Sequence, residues 1–232
     1  MAATAEQWQQ RSGEDSEGTA ELMQDAAAFK SKLGGFRKAT KALLDLVFID
    51  APHLIEKDAH GEGDNEGGRA WWFSGEKTFS SKEYTDTCRG FDQSVQAVEQ
   101  AWKLLGPFDG ILGFSQGAAM TSMVLAMQSL DQTECSFKFG VLVAGFRSRS
   151  SAHDHLFAKE GLVKVPTLHV VGEGDLIIPK AQATEILPFF MSPSVLYHPG
   201  GHFLPTNAET KPGYLAFFRK MSGMHSGAGE VV

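Results

Sequence analysis

A serine between two glycines stands in the stretch GFSQG, at residues 113 to 117. An apolar run precedes it and helix-forming residues follow, which predicts a sharp turn from a strand into a helix. Glycine on both sides lets strand and helix approach closely while Ser115 takes a strained backbone conformation. The Ser115 hydroxyl would then project from the sheet as a nucleophile, with the Gln116 N–H placed to bind an oxyanion. For the pentapeptide alone, a serine that caps a helix is the alternative.

A serine nucleophile needs a base, and the base needs a carboxylate that orients it. Both occur later in the chain, in the order Ser, Asp, His. Asp175 follows the apolar run LHVVG, and Glu173 is its alternative as the carboxylate. His202 lies in a glycine-rich loop after the run SVLYH, and His198 is its alternative as the base. The spacing predicts a catalytic triad of Ser115, Asp175 and His202.

The elements that must position these groups are apolar runs alternating with helical patterns. This alternation predicts parallel strands joined by helical crossovers, with the site beyond the carboxyl ends of the strands. One α/β domain is expected over residues 19–221, between a disordered segment 1–18 and a flexible tail 222–232, because both ends are polar or glycine-rich. The short stretch between VLVAGF and VPTLHV predicts a small lid or none, over an open apolar groove.

Aromatic residues near the predicted site are candidates for substrate contacts. Phe114 and Phe203 neighbour the nucleophile and the base, and the WWF stretch contributes Trp71 and Trp72. Aromatic side chains of this kind line apolar acyl sites. The alternative for the tryptophan pair is a place in the hydrophobic core.

Composition excludes several classes of protein. The 232 residues carry a net charge of -7, and no clustered basic surface is evident, so nucleic-acid binding is not expected. Two distant cysteines cannot build a disulfide framework. The N-terminal residues lack the pattern of a signal peptide, and no apolar run is long enough to span a bilayer. A cytoplasmic protein acting on a small molecule is therefore expected, and the oligomeric state stays open.

No cofactor or metal is expected. The glycines around the serine do not fit a nucleotide-binding motif. The stretch HDH at 153–155 and the spacing of His198 and His202 each offer two ligands without the further ligands that a metal site needs. These histidines are interpreted as surface residues, apart from His202 and its alternative.

The chain resembles the FSH-type serine hydrolases of fungi and animals over residues 24–217. The resemblance is carried by FRKATKALLDLVFIDAPH, WWFS, GPFDGILGFSQGAAM, FKFGVLVAGF, LHVVGEGDLIIP and HPGGHFLP. It implies an α/β-hydrolase fold and hydrolysis of carboxylic esters with medium to long acyl chains, by residues that match Ser115, Asp175 and His202. Acyl-protein thioesterases also carry GFSQG, but FIDAPH and HPGGHF favour the FSH type.

One departure from the family's pattern concerns the first strand. Members begin with an apolar strand ending in His-Gly, whereas QRSGEDSEGTAE at residues 10–21 has no strong strand former. The resemblance places that strand between LVFID and GILGF, with the second oxyanion-hole N–H in the loop after it. Without it, activity is expected to be reduced. An impaired isoform that binds acyl ligands and an acyl-protein thioesterase are the alternatives to an active esterase.

Overall fold

The computed structural model describes residues 2–3, 26–55 and 68–226 of the chain. Six parallel strands form the main sheet, in the order β2-β1-β5-β6-β7-β8. In chain order these strands are β1 (Ala2–Ala3), β2 (Val47–Phe48), β5 (Gly110–Phe114), β6 (Phe139–Val143), β7 (Thr167–Gly172) and β8 (Ser194–His198). A separate antiparallel pair is made by β3 (His53–Leu54) and β4 (Arg69–Ala70).

Helices cover both faces of this sheet. They are α1 (Ala26–Lys32), α2 (Gly34–Thr40), α3 (Phe91–Leu105), α4 (Gln116–Ser129), α5 (Lys180–Thr184) and α6 (Lys211–Ser226), with short 3₁₀ turns at Ser151–Phe157 and Leu187–Phe189. None of the helices within the described residues is long and apolar enough to cross a membrane. The alternation of strands and helices confirms the predicted α/β class.

Strand β5 shows why the central strands are apolar along their whole length. All five of its residues are buried. Ile111 belongs to the core that holds residues of α3 and α4, whereas Leu112 and Phe114 belong to the core that holds residues of α1, α2 and α6. Successive side chains on a strand point to opposite faces, so a strand covered on both faces needs apolar residues at every position.

A first strand is present in the described residues, at Ala2–Ala3. Ala2 and Ala3 lie between β2 and β5 and pair in parallel with both, Ala2 opposite Val47 and Ile111. The prediction that no strand fills this position is corrected by this pairing. Two alanines carry no periodic signal, and their place depends on partners far along the chain. The whole polar stretch at 10–21 that motivated the prediction, and the loop directly after β1, lie outside the described residues.

Regular secondary structure occurs in both terminal segments that were predicted to be disordered or flexible. Ala2 and Ala3 are a strand within the segment 1–18, and α6 continues to Ser226, inside the predicted tail 222–232. The remaining residues of both segments lie outside the described part. The limits 19 and 221 stay predictions.

A buried histidine on β7 is expected to make the fold sensitive to acid. Burial lowers the pKa of His169 to about 3, and its ring lies against Phe190 with Nε2 3.1 Å from Thr167 Oγ1. The unfolded chain binds this proton near pH 6.5, so stability falls as pH drops below about 6.5 towards the folded pKa. The loss amounts to about 2 to 3 kcal/mol by pH 4.5.

Urea unfolding of wild type and His169→Gln at pH 7 and pH 4.5 measures this loss. The variant is expected to lose less stability between the two pH values than wild type, whatever its stability at pH 7. His155→Gln, at an exposed histidine, is the control and should keep most of the acid loss of wild type. An equal acid loss in wild type and His169→Gln would contradict the prediction.

Candidate active site

Ser115 lies in the turn between β5 and α4, in a backbone conformation rare for residues with a side chain. Its φ is 51° and its ψ is -118°. The turn is held in place because the Ser115 N–H donates to the Val143 carbonyl on β6 at 2.9 Å, while the Ser115 carbonyl accepts from Ala118 and Ala119 N–H. A helix begins at once at Gln116, so the chain reverses direction at the serine. This is the strained strand-to-helix turn that the sequence predicts.

Gly113 permits this turn for a reason visible in its surroundings. A Cβ at this position would overlap the carbonyl group of Gly117 and crowd Thr121 Oγ1. The Gly117 carbonyl is backbone of α4 and cannot rotate away. An alanine at 113 would therefore push the helix from the strand, which explains the need for glycine at this flank.

Asp175 and His202 meet at the carboxyl ends of β7 and β8. His202 Nδ1 lies 2.7 Å from Asp175 Oδ2, and both side chains are buried. The other carboxylate oxygen, Oδ1, accepts from the N–H groups of Ile177 and Ile178 at 2.9 and 2.8 Å. An ionised carboxylate accepts hydrogen bonds, so Nδ1 carries the proton and Nε2 is left as the basic nitrogen.

The alternatives for base and carboxylate have other surroundings. Glu173 pairs with Lys180 at 2.6 Å on a half-exposed surface. His198 is buried at the end of β8, packs edge-on to Phe203, and its Nδ1 has no hydrogen-bond partner in the described part of the chain. Burial lowers the pKa of His198, which the nearby Asp175 and Glu173 carboxylates partly oppose. The geometry favours Asp175 over Glu173 and His202 over His198.

His202 reaches the serine turn through Phe114. The two ring centroids are 4.7 Å apart, and Phe29 stacks on Phe114 at 6.2 Å. His202 therefore packs on the residue adjacent to Ser115. Ser115 Oγ itself is buried and has no hydrogen-bond partner among the described residues.

Ser115, Asp175 and His202 are buried in the described part of the chain, which differs from the predicted open apolar groove. Ser115 is 0% exposed, Asp175 4% and His202 3%. A cavity of about 300 Å³ lies elsewhere, at the amino ends of the strands, where Val47, Asp109 and Phe139 line it. Trp71 contacts the serine turn, because its backbone N–H donates a hydrogen bond to the Gln116 side chain.

The aromatic residues predicted to contact substrate differ in exposure. Phe114, Trp71 and Trp72 are at most 4% exposed, while Phe203 is 45% exposed. Trp71 and Trp72 lie in the core cluster that also holds residues of α3 and α4, which favours the core alternative for this pair. Substrate contact by Phe203 needs no rearrangement of its ring.

His153 departs from the predicted surface histidines. It is 2% exposed, its Nδ1 is 2.7 Å from Ser148 Oγ, and its ring lies against Phe91 and Trp72. Burial lowers its pKa to about 4, and the nearby His155 contributes to the same direction. His155 itself is exposed. The described residues contain no group of three or more His, Cys, Asp or Glu side chains placed to hold a metal ion.

Comparison with known proteins gives matches over most of the chain. The model of a family described as Serine hydrolase (FSH1) matches residues 22–213. Esterase OVCA2 of Danio rerio is 38% identical over 212 residues, which cover 85% of this chain and 92% of that protein. Esterase OVCA2 of Xenopus tropicalis is also 38% identical, over 205 residues, with 85% and 88% covered.

Solved structures with the same fold are more distant in sequence. Arabidopsis thaliana SOBER1 superposes with a TM-score of 0.61 at 16% identity, covering 87% of this chain and 95% of that one. Zea mays acyl-protein thioesterase 2 gives a TM-score of 0.59 at 14% identity, covering 90% and 97%. At this identity the likeness shows the α/β-hydrolase fold alone.

Proposed function

The chain belongs to the serine hydrolase (FSH1) family, and we propose that it cleaves carboxylic esters of medium to long acyl chain through a covalent acyl-enzyme. The single observation that carries this proposal is the contact between His202 and Asp175 beside the strained turn that presents Ser115. Relatives with 38% identity carry the name esterase, which supports the same reaction class.

In the acylation step, His202 Nε2 takes the proton from Ser115 as Oγ attacks the ester carbonyl carbon. The carbonyl oxygen becomes an oxyanion, which accepts a hydrogen bond from the Gln116 N–H at the start of α4. Asp175 accepts from Nδ1 and stabilises the imidazolium. The tetrahedral intermediate then breaks its bond to the alkoxy oxygen, which takes the proton from His202 and leaves as the alcohol.

In the deacylation step, water replaces the alcohol. His202 Nε2 removes a proton from the water as its oxygen attacks the acyl carbon, and the bond to Ser115 Oγ breaks. The serine oxygen takes the proton back and the carboxylic acid leaves. Because Ser115 is buried, residues that shield it must move before substrate can reach its hydroxyl.

Fluorophosphonate labelling tests whether the serine is the nucleophile. Wild type is expected to react with one equivalent of probe, located by peptide mass spectrometry at Ser115. Ser122→Ala is the matched control, because Ser122 is a buried serine of α4, whose hydroxyl donates to the Ala119 carbonyl. It should label as wild type does. Labelling elsewhere, or none in a folded protein, would overturn the proposal.

A series of p-nitrophenyl esters from acetate to palmitate tests the substrate class. A maximum of kcat/KM at medium or long chains supports the proposal. Rates at the buffer blank, with retained binding of a fatty acid, would favour the acyl-ligand binder instead. Faster cleavage of thioesters on lipidated peptides than of simple esters would favour the acyl-protein thioesterase.

A further inference from the structure

The Gln116 side chain makes a paired contact that the proposed reaction does not use. Its Oε1 accepts a hydrogen bond from the backbone N–H of Trp71 at 2.9 Å. Its Nε2 donates a hydrogen bond to the backbone carbonyl of Trp72 at 2.8 Å. Gln116 is 1% exposed. The two bonds fix which end of the carboxamide is oxygen, because the oxygen meets an N–H and the nitrogen meets a carbonyl.

The backbone held by this carboxamide is fixed from other directions as well. The hydroxyl of Ser94 on α3 donates to the Trp71 carbonyl. The Trp72 ring meets Phe79, Phe91 and His153 edge-on, at centroid distances of 5.3, 6.3 and 5.9 Å. The Trp71–Trp72 segment is thus a rigid wall, and Gln116 ties the serine turn to it.

We propose that the Gln116 carboxamide is a positioning residue for the oxyanion site. Gln116 is the first residue of α4, so its side chain and its N–H share one Cα. Anchoring the side chain to a rigid wall holds that N–H in the direction where negative charge develops. Preorganised donors stabilise a transition state because they need no reorientation during the reaction. This inference rests on the proposed function.

Two substitutions of Gln116 test whether its side chain positions the oxyanion donor or only packs against its neighbours. Gln116→Met has a similar length and removes both hydrogen bonds. Its kcat on p-nitrophenyl butyrate is expected to fall about 10- to 100-fold, less than the about 10²- to 10³-fold for outright loss of an oxyanion donor. Its KM should change little, because the ground-state carbonyl depends less on that donor.

Gln116→Glu adds a readout in pH. The introduced carboxyl group can accept from the Trp71 N–H at any pH, but it can donate to the Trp72 carbonyl only when protonated. Burial raises the pKa of such a group. The ratio of variant to wild-type kcat is therefore expected to rise as pH falls from 8 to 5.

Gln128 offers a matched control on the same helix. Its Oε1 accepts from the Phe137 N–H at 2.8 Å and its Nε2 donates to the Phe137 carbonyl at 2.9 Å. It lies twelve residues beyond Gln116, about 18 Å along the helix. Gln128→Met and Gln128→Glu are expected to lower the melting temperature while the kcat ratio stays flat across pH.

Melting temperatures of all four variants, at each pH, confirm that the assays report folded protein. Normal kcat in Gln116→Met, or a flat pH ratio in Gln116→Glu, would overturn the inference. An equal kcat loss in the Gln128 variants would also overturn it, because the effect would then be general destabilisation. A wild type that neither labels nor hydrolyses esters would instead refute the proposed function, a separate result.

Discussion

Replacing Ser115 with alanine is expected to lower kcat for ester hydrolysis about 10⁶-fold. No acyl-enzyme can form without the hydroxyl, so activity should fall to what binding and oxyanion stabilisation provide for attack by water. The fold should survive, because Ser115 Oγ makes no hydrogen bond within the described residues and alanine is smaller. Initial rates on p-nitrophenyl butyrate, fluorophosphonate labelling and a thermal melt measure the three effects.

Ser122→Ala is the control for removing a buried hydroxyl from the same part of the molecule. It loses the bond to the Ala119 carbonyl and should lose stability with kcat largely kept. Substantial hydrolysis by purified Ser115→Ala, with a melt like that of wild type, would exclude Ser115 as the nucleophile.

Asp175→Asn is expected to lower kcat about 10⁴-fold with little change in fold. The asparagine oxygen can still accept from the Ile177 and Ile178 N–H groups, as Oδ1 does now. The amide nitrogen would then face His202 Nδ1 and donate to it. The imidazole would be forced into the tautomer that carries its proton on Nε2, where it cannot take a proton from serine.

A neighbouring carboxylate makes this prediction specific. Glu173→Gln removes a carboxylate two residues away that pairs with the exposed Lys180, and kcat should stay within about three-fold of wild type. If Glu173→Gln abolished activity and Asp175→Asn did not, Glu173 would take the role assigned to Asp175. Circular dichroism and melting curves of both variants establish that the comparison is between folded proteins.

The candidate site was largely predictable because its residues occur in short sequence motifs. The glycines of GFSQG have a steric reason that holds in any sheet, as the crowding at Gly113 illustrates. The strand ends before Asp175 and His202 were visible as apolar runs, and parallel strands bring their carboxyl ends to one edge. The roles of these residues stay predictions, but their convergence required only the order of strands and helices.

The sequence alone did not decide which of two neighbouring carboxylates, or which of two neighbouring histidines, belongs to the candidate site. Glu173 and Asp175 follow the same strand, and His198 and His202 follow another. Whether such a side chain points towards the site or to solvent depends on the backbone conformation of the loop that carries it. In the structure, Asp175 Oδ1 accepts hydrogen bonds from two N–H groups of its own turn. These bonds orient the carboxylate so that Oδ2 lies against His202.

Long-range packing also decided which side chains are buried. His153 lies in a polar stretch, yet the rings of Phe91 and Trp72 cover it. Ala2–Ala3 fills the gap between β2 and β5 without any strand-forming pattern. In each case the contacts come from residues far apart in the chain, so a local window of sequence contains no sign of them.

By itself, the sequence determined the alternation of strands and helices, the family resemblance and the position of the serine turn. These depend on local periodicity and on the steric needs of glycine, which act within a few residues. The tertiary structure alone decided that Ser115, Asp175 and His202 are buried, that the Gln116 side chain bonds the Trp71–Trp72 backbone and that Phe114 packs against His202. Those features are contacts between distant segments, and their geometry exists only once the sheet has brought the segments together.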